Sequence, residues 1–232
     1  MHIMPIMKKK AMLEKLIVML THNDQTVNDA KEVFEQCRDL PVTNWGFKDV
    51  GMEPDKMKEL AFLMKEAGKS TFLEVVTYTE AECMRGAKLA VECGFEYLLG
   101  TLFFDSVFDY IKTTDLKYCP FVGRVSGSPS ILEGTLDEML AQEADFAAKG
   151  VFGVDLLGYR YAGGDAGELS AQYIQRAKLP TVLAGSIGSP ERLEDVRKMN
   201  PWRFTMGSAL FTQNFVNGGS VRSNLEKVLT LL

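Results

Sequence analysis

Thr181-Val182-Leu183-Ala184-Gly185-Ser186-Ile187-Gly188-Ser189-Pro190 packs a strand, a turn of small residues and a helix start into one short stretch. Thr181–Ser186 reads as a strand because a brief β-rich run ends at a glycine turn. Ser189 followed by Pro190 fits an N-cap and a first helical position. Leu193, Val196 and Met199 then recur at helical period. The rest of the chain repeats this unit. Comparable runs stand at Leu16–Thr21, Asn44–Val50, Thr71–Thr77, Glu96–Leu102, Pro120–Val125, Val151–Leu157 and Trp202–Ser208, with starts roughly 20 to 30 residues apart. Between two of them, Met57, Leu60, Ala61, Met64 and Ala67 keep helical spacing. Thr26-x-x-Asp29, Thr79-x-x-Glu82 and Thr135-x-x-Glu138 each fit a capping box. Gly68, Gly94 and Gly150 stand where a helix end favours a left-handed residue.

Eight such units without a Gly/Ser-rich linker predict one α/β domain, either a closed barrel or an open doubly wound sheet. An open sheet usually carries a Gly-rich first turn, and the first turn here, Thr21-His22-Asn23-Asp24, has none. The expectation is a (β/α)₈ TIM barrel spanning residues 1–232, with residues 1–14 as an N-terminal extension.

A chain of 232 residues suits one such barrel, and 46% hydrophobic with 25% charged residues is ordinary for a globular core. A formal net charge of -5 argues against a nucleic-acid partner, which needs a basic stripe. It leaves room for a small anion, because backbone N–H groups bind phosphate without basic excess. Cys37, Cys83, Cys93 and Cys119 form no C-x-x-C pair and read as reduced thiols of a cytoplasmic protein. Lys8, Lys9 and Lys10 precede an apolar run, but Glu14 and Lys15 interrupt it, so neither a signal peptide nor a membrane span is expected.

Barrel chemistry occurs at the C-terminal ends of the strands, with phosphate sites recurring after strands seven and eight. Small residues after strand seven (Gly185, Ser186, Ile187, Gly188) and strand eight (Gly207, Ser208) let backbone approach an anion. Ionisable candidates at other strand ends are Asp24, Lys48, Glu74, Arg124 and Asp155, with Arg160 in a Tyr159–Gly164 loop suited to closing on an anion. Asp24 is a candidate general base or, alternatively, a helix-capping residue. Lys48, in an otherwise apolar strand, is expected to pair with Glu74 and to polarise a carbonyl, stabilise an enediolate or form a Schiff base. His22 stands without a His or Cys cluster, so no transition metal is expected. A hard cation on Asp24, Glu74 and Asp155 has no supporting motif.

Ala184-Gly185-Ser186-Ile187 with Ser189 and Glu191, and Met206-Gly207-Ser208-Ala209, resemble the paired motifs of the phosphate-binding, ribulose-phosphate-type barrels. That family includes phosphosugar isomerases of histidine and tryptophan biosynthesis, N-acetylmannosamine-6-phosphate epimerases and glycerol-uptake antiterminator regulators. The first motif departs by Ser186 where a second glycine is usual. The resemblance implies a phosphosugar isomerase or epimerase working by proton transfer without an organic cofactor. The alternatives are a non-catalytic phosphate sensor, which the acidic charge counts against as an RNA binder, and an aldolase-like lyase using Lys48. Arg124 and Arg160 would join the phosphate site, Asp24 or Asp155 would move the proton, and a homodimer is implied. No acid–base pair of one member is reproduced: the histidine-pathway isomerases end strand five in aspartate, where this chain has Arg124-Val125-Ser126-Gly127.

Overall fold

Strands covered by helices outside and filled by their own side chains inside must be apolar on both faces. Leu16–Met19, buried throughout, is such a strand. The computed structural model describes residues 11–232; residues 1–10 of the expected extension lie outside them, and Met12, within its remainder, is buried. The eight barrel strands are β1 Leu16–Met19, β2 Asn44–Lys48, β3 Ser70–Val75, β4 Tyr97–Gly100, β5 Lys117–Cys119, β6 Val154–Leu156, β7 Thr181–Leu183 and β8 Arg203–Met206. They form one parallel sheet in the order β6-β7-β8-β1-β2-β3-β4-β5. The ring closes where β5 runs on to meet β6. Phe121 bridges Asp155, and N–H groups of Gly153, Asp155 and Val122 reach the carbonyls of Tyr118, Pro120 and Asp155 at 3.1, 2.9 and 3.3 Å. This is a (β/α)₈ barrel.

The helices are α1 Ala30–Cys37, α2 Pro54–Glu66, α3 Glu80–Glu92, α4 Asp105–Ile111, α5 Leu136–Lys149, α6 Ala166–Arg176, α7 Pro190–Met199, α8 Ser208–Phe211 and α9 Val221–Leu231. Thr79 and Thr135 close full capping boxes on α3 and α5, and Ser189 caps α7 with Pro190 next. Gly68, Gly94 and Gly150 all have positive φ. Thr26 departs from its expectation. It lies in a small antiparallel hairpin, Thr21–His22 with Gln25–Thr26, and its hydroxyl bonds to the Lys48 backbone instead of a helix N-terminus.

Inside the barrel, Ile17, Met19, Phe72, Tyr97, Leu99, Cys119 and Val182 form a cluster of their own, distinct from the one that packs the helices. Phe152 and Trp202 sit beside Tyr97 below it, with Phe72 stacked on Tyr97 at 4.4 Å. Gly46 makes room, since a Cβ there would lie 2.6 Å from the Phe72 carbonyl. Side chains alternate along a strand. The alternation that turns Gly46 and Phe72 inward therefore turns Lys48 and Glu74 inward at the other end. The two stand opposite each other in the β2–β3 register. The barrel thus has an aromatic floor and a charged mouth.

Candidate functional site

A cavity of about 490 Å³ opens at that mouth. Its walls include Asp24, Lys48, Glu74, Arg160, the Ala184–Ser189 turn after β7 and the Gly207–Ala209 turn after β8. All the expected phosphate-turn residues (Gly185, Ser186, Ile187, Gly188, Gly207 and Ser208) line this one space. The two turns touch. A Cβ on Gly188 would sit 3.3 Å from that of Ala209, and the Asn214 side chain of the second turn donates to the Gly188 carbonyl at 2.9 Å. Among the described residues, the N–H groups of Ser186, Ile187, Gly188, Ser208 and Ala209 have no acceptor within the chain, so they remain free for an anion.

Glycine is required at two points here. Gly185 has φ of 87°, and a Cβ on it would lie 2.8 Å from Cγ of Arg160. Gly207 has ordinary φ, but its Cβ would meet the Thr21 hydroxyl at 2.6 Å and the Met19 carbonyl at 3.2 Å. The β8 turn therefore presses against the end of β1. Arg192, on the first turn of α7, also lines the cavity. Its guanidinium lies 4.9 Å from the Tyr159 ring centre and donates to the Ser186 carbonyl, bringing positive charge beside the free amides.

Lys48 is 5% exposed. Its Nζ is 3.1 Å from Asp24 Oδ1 and 3.6 Å from Glu74 Oε2, so the expected Lys48–Glu74 pair is present with a second carboxylate added. Asp24 does not cap a helix. Arg160 grips it with both Nη groups at 2.6 Å, and the Ser130 N–H donates to Oδ2 at 2.9 Å. Burial would raise the Asp24 carboxyl, but the Arg160 hydrogen bonds, the Lys48 charge and the Ser130 amide outweigh it. Together they hold it well below the usual carboxylate range. Such a group is a weak base.

Asp155, on β6, is not among the residues that line the cavity: it is fully buried, with neither carboxyl oxygen hydrogen-bonded among the described residues. Burial first, then the Glu74 charge, push its acid well above the usual value, against the pull of Lys48. The Tyr159–Gly164 loop begins with a 3₁₀ turn, Gly158–Arg160, whose arginine is already anchored on Asp24.

Arg124 is not brought into the site. β5 ends at Cys119, and Arg124 belongs to an exposed hairpin, Arg124–Ser126 with Ile131–Glu133, where it pairs with Glu138 at 3.4 Å. The apolar Val122 and Val125 beside it make the segment look like strand, yet the chain has already left the barrel. The loop of the same hairpin supplies Ser130, which no motif or spacing marks out. Arg192 had a positional sign, standing three residues after the N-cap of the β7 turn.

No family model matches the chain, and no curated protein matches it. Solved structures do. An orotidine 5'-phosphate decarboxylase from Pyrococcus horikoshii is similar at TM-score 0.66 and 12% identity, over 93% of this chain and 98% of that one. A tryptophan synthase alpha chain from Legionella pneumophila subsp. pneumophila gives 0.64 and 14%, over 97% and 95%. An N-acetylmannosamine-6-phosphate 2-epimerase from Clostridium perfringens gives 0.63 and 12%, over 95% and 94%. At such identities the likeness establishes a shared fold, the barrel that the eight strand–helix units predict.

Proposed function

We propose that this chain binds a small phosphorylated metabolite at the barrel mouth and acts on it as a phosphosugar isomerase or epimerase. The observation that carries this reading is that the free amides of the β7 and β8 turns and the Lys48–Glu74 pair open on the same cavity. The amides, with Arg192 beside them, hold the phosphate. Glu74 faces the cavity with Lys48 as its ion-pair partner and, unlike Asp24, is not held by the Arg160 fork. Its carboxylate takes a proton from the carbon next to the substrate carbonyl, and the electron pair moves onto the carbonyl oxygen as an enediolate. Lys48 stabilises that oxygen. The proton then returns to carbon. Asp24 orients the Lys48 amine.

Named neighbours such as the N-acetylmannosamine-6-phosphate epimerase support the ligand class at the level of fold. The test is incubation with a panel of aldose and ketose phosphates in D₂O, with carbon-bound deuterium read by NMR. We expect incorporation by the wild type and at least about a hundredfold loss in Glu74→Gln, with phosphate affinity unchanged. Phosphate binding without exchange by the wild type would replace the enzyme reading with the sensor reading.

A further inference from the structure

Three cations line the cavity: Lys48, Arg160 and Arg192. Two are already matched by the chain's own carboxylates. Lys48 stands between Asp24 and Glu74. Arg160 commits both Nη groups to Asp24, and its Nη1 also reaches the Ser130 carbonyl at 3.2 Å. Of these three, Arg192 alone has no carboxylate within ion-pair distance among the described residues, and it stands at the phosphate end.

A two-pronged arginine is the arrangement that receives a ligand's carboxylate or second phosphate. Here that place is taken. Asn23 and Asp24 adopt φ of 50° and 58°, a conformation non-glycine residues rarely hold. The Ser130 N–H fixes Oδ2 of the aspartate so presented. A second anion entering the cavity would meet Asp24 and Glu74 with no uncommitted cation to offset them, and charge buried without a partner is costly.

We infer that Asp24 is a specificity-determining residue. By filling the Arg160 fork it confines the ligand to a phosphomonoester whose other end is uncharged, and it rejects bisphosphates and phosphorylated carboxylates. The inference rests on the phosphate reading above. Rejection by a placed like charge is a common route to selectivity, and Asp24 stays ionised throughout the physiological range because its carboxyl is held low.

Calorimetric titration of the wild-type chain with inorganic phosphate, sorbitol 6-phosphate and 6-phosphogluconate tests it. The last two differ only by hydroxymethyl against carboxylate at the far end. We expect sorbitol 6-phosphate to bind at least about tenfold tighter, and Asp24→Asn to narrow or reverse that preference. Equal affinity in the wild type overturns the inference and leaves the phosphate reading standing. No binding of any of the three, inorganic phosphate included, overturns both. If Asp24→Asn does not fold, Arg160→Gln gives the second arm. With the Asp24 charge less compensated the preference widens, and a preference that vanishes overturns the inference.

Discussion

Asp155→Asn isolates what one buried carboxyl does to the stability of the barrel. Asp155 has no solvent exposure and no hydrogen-bond partner among the described residues. Burial and the Glu74 charge push its acid well above the ordinary value. In the unfolded chain the same group ionises near about pH 3.9. Between that pH and the raised folded value, only the unfolded chain gives up the proton. Stability therefore falls as pH rises through this window, by about 1.4 kcal/mol per pH unit. Below about pH 4 both states keep the proton and the cost is absent; above the folded value it is at full size. The sign is opposite for Asp24. Its lowered carboxyl contributes stability that is present above the unfolded value and lost as pH falls. The asparagine amide, also buried without partners, brings a cost of about 1–3 kcal/mol that does not change with pH. The difference in unfolding free energy, variant minus wild type, should then climb between pH 4.5 and 6.5. Urea unfolding of both proteins at half-unit steps, at fixed ionic strength, measures it. A flat difference across that range refutes the reasoning.

Gly185→Ala places a side chain at φ of 87° and 2.8 Å from Cγ of Arg160. It should cost about 1–2 kcal/mol in urea unfolding and weaken inorganic phosphate binding measured by NMR titration; undiminished phosphate affinity would contradict the placement of that turn. Thr135→Ala removes the side-chain cap of α5 and should cost about 1 kcal/mol while leaving phosphate binding intact, so a change in affinity there would mean the cap acts on the site.

What the sequence made legible was local. Strand positions follow from apolar runs, except that β5 ends at Cys119, before the expected run Pro120–Val125 begins, and α3, α5 and α7 start where Thr79, Thr135 and Ser189 cap them. The two phosphate turns were readable because glycine is written where backbone must bend or approach closely. Lys48 and Glu74 were legible as a pair because each is a charge set in an otherwise apolar run and the two strands are neighbours. The rest is non-local. Asp24 finds Arg160 across 136 positions and Ser130 across 106, and no period or spacing records such partners. Thr26 was misjudged for the same reason: Thr-x-x-Asp is a local cue, and the strand it pairs with, β2, lies 22 positions away.

These distant partners also explain how the ring stays shut. β5 and β6 share one bridge and a few hydrogen bonds, at the level where Asp155 is buried unpaired. The loops above them supply more. Leu132 of the exposed hairpin bridges Tyr161, and Ala162 donates to the Leu132 carbonyl at 2.9 Å. The Tyr161 hydroxyl reaches the Gly134 carbonyl at 2.9 Å. Arg160 joins this same stitch through the Ser130 carbonyl while holding Asp24 from β1's side of the mouth. The ion pair that shapes the ligand site is thus also part of what fastens β5 to β6. Substitutions at Asp24 or Arg160 should therefore change selectivity and stability together.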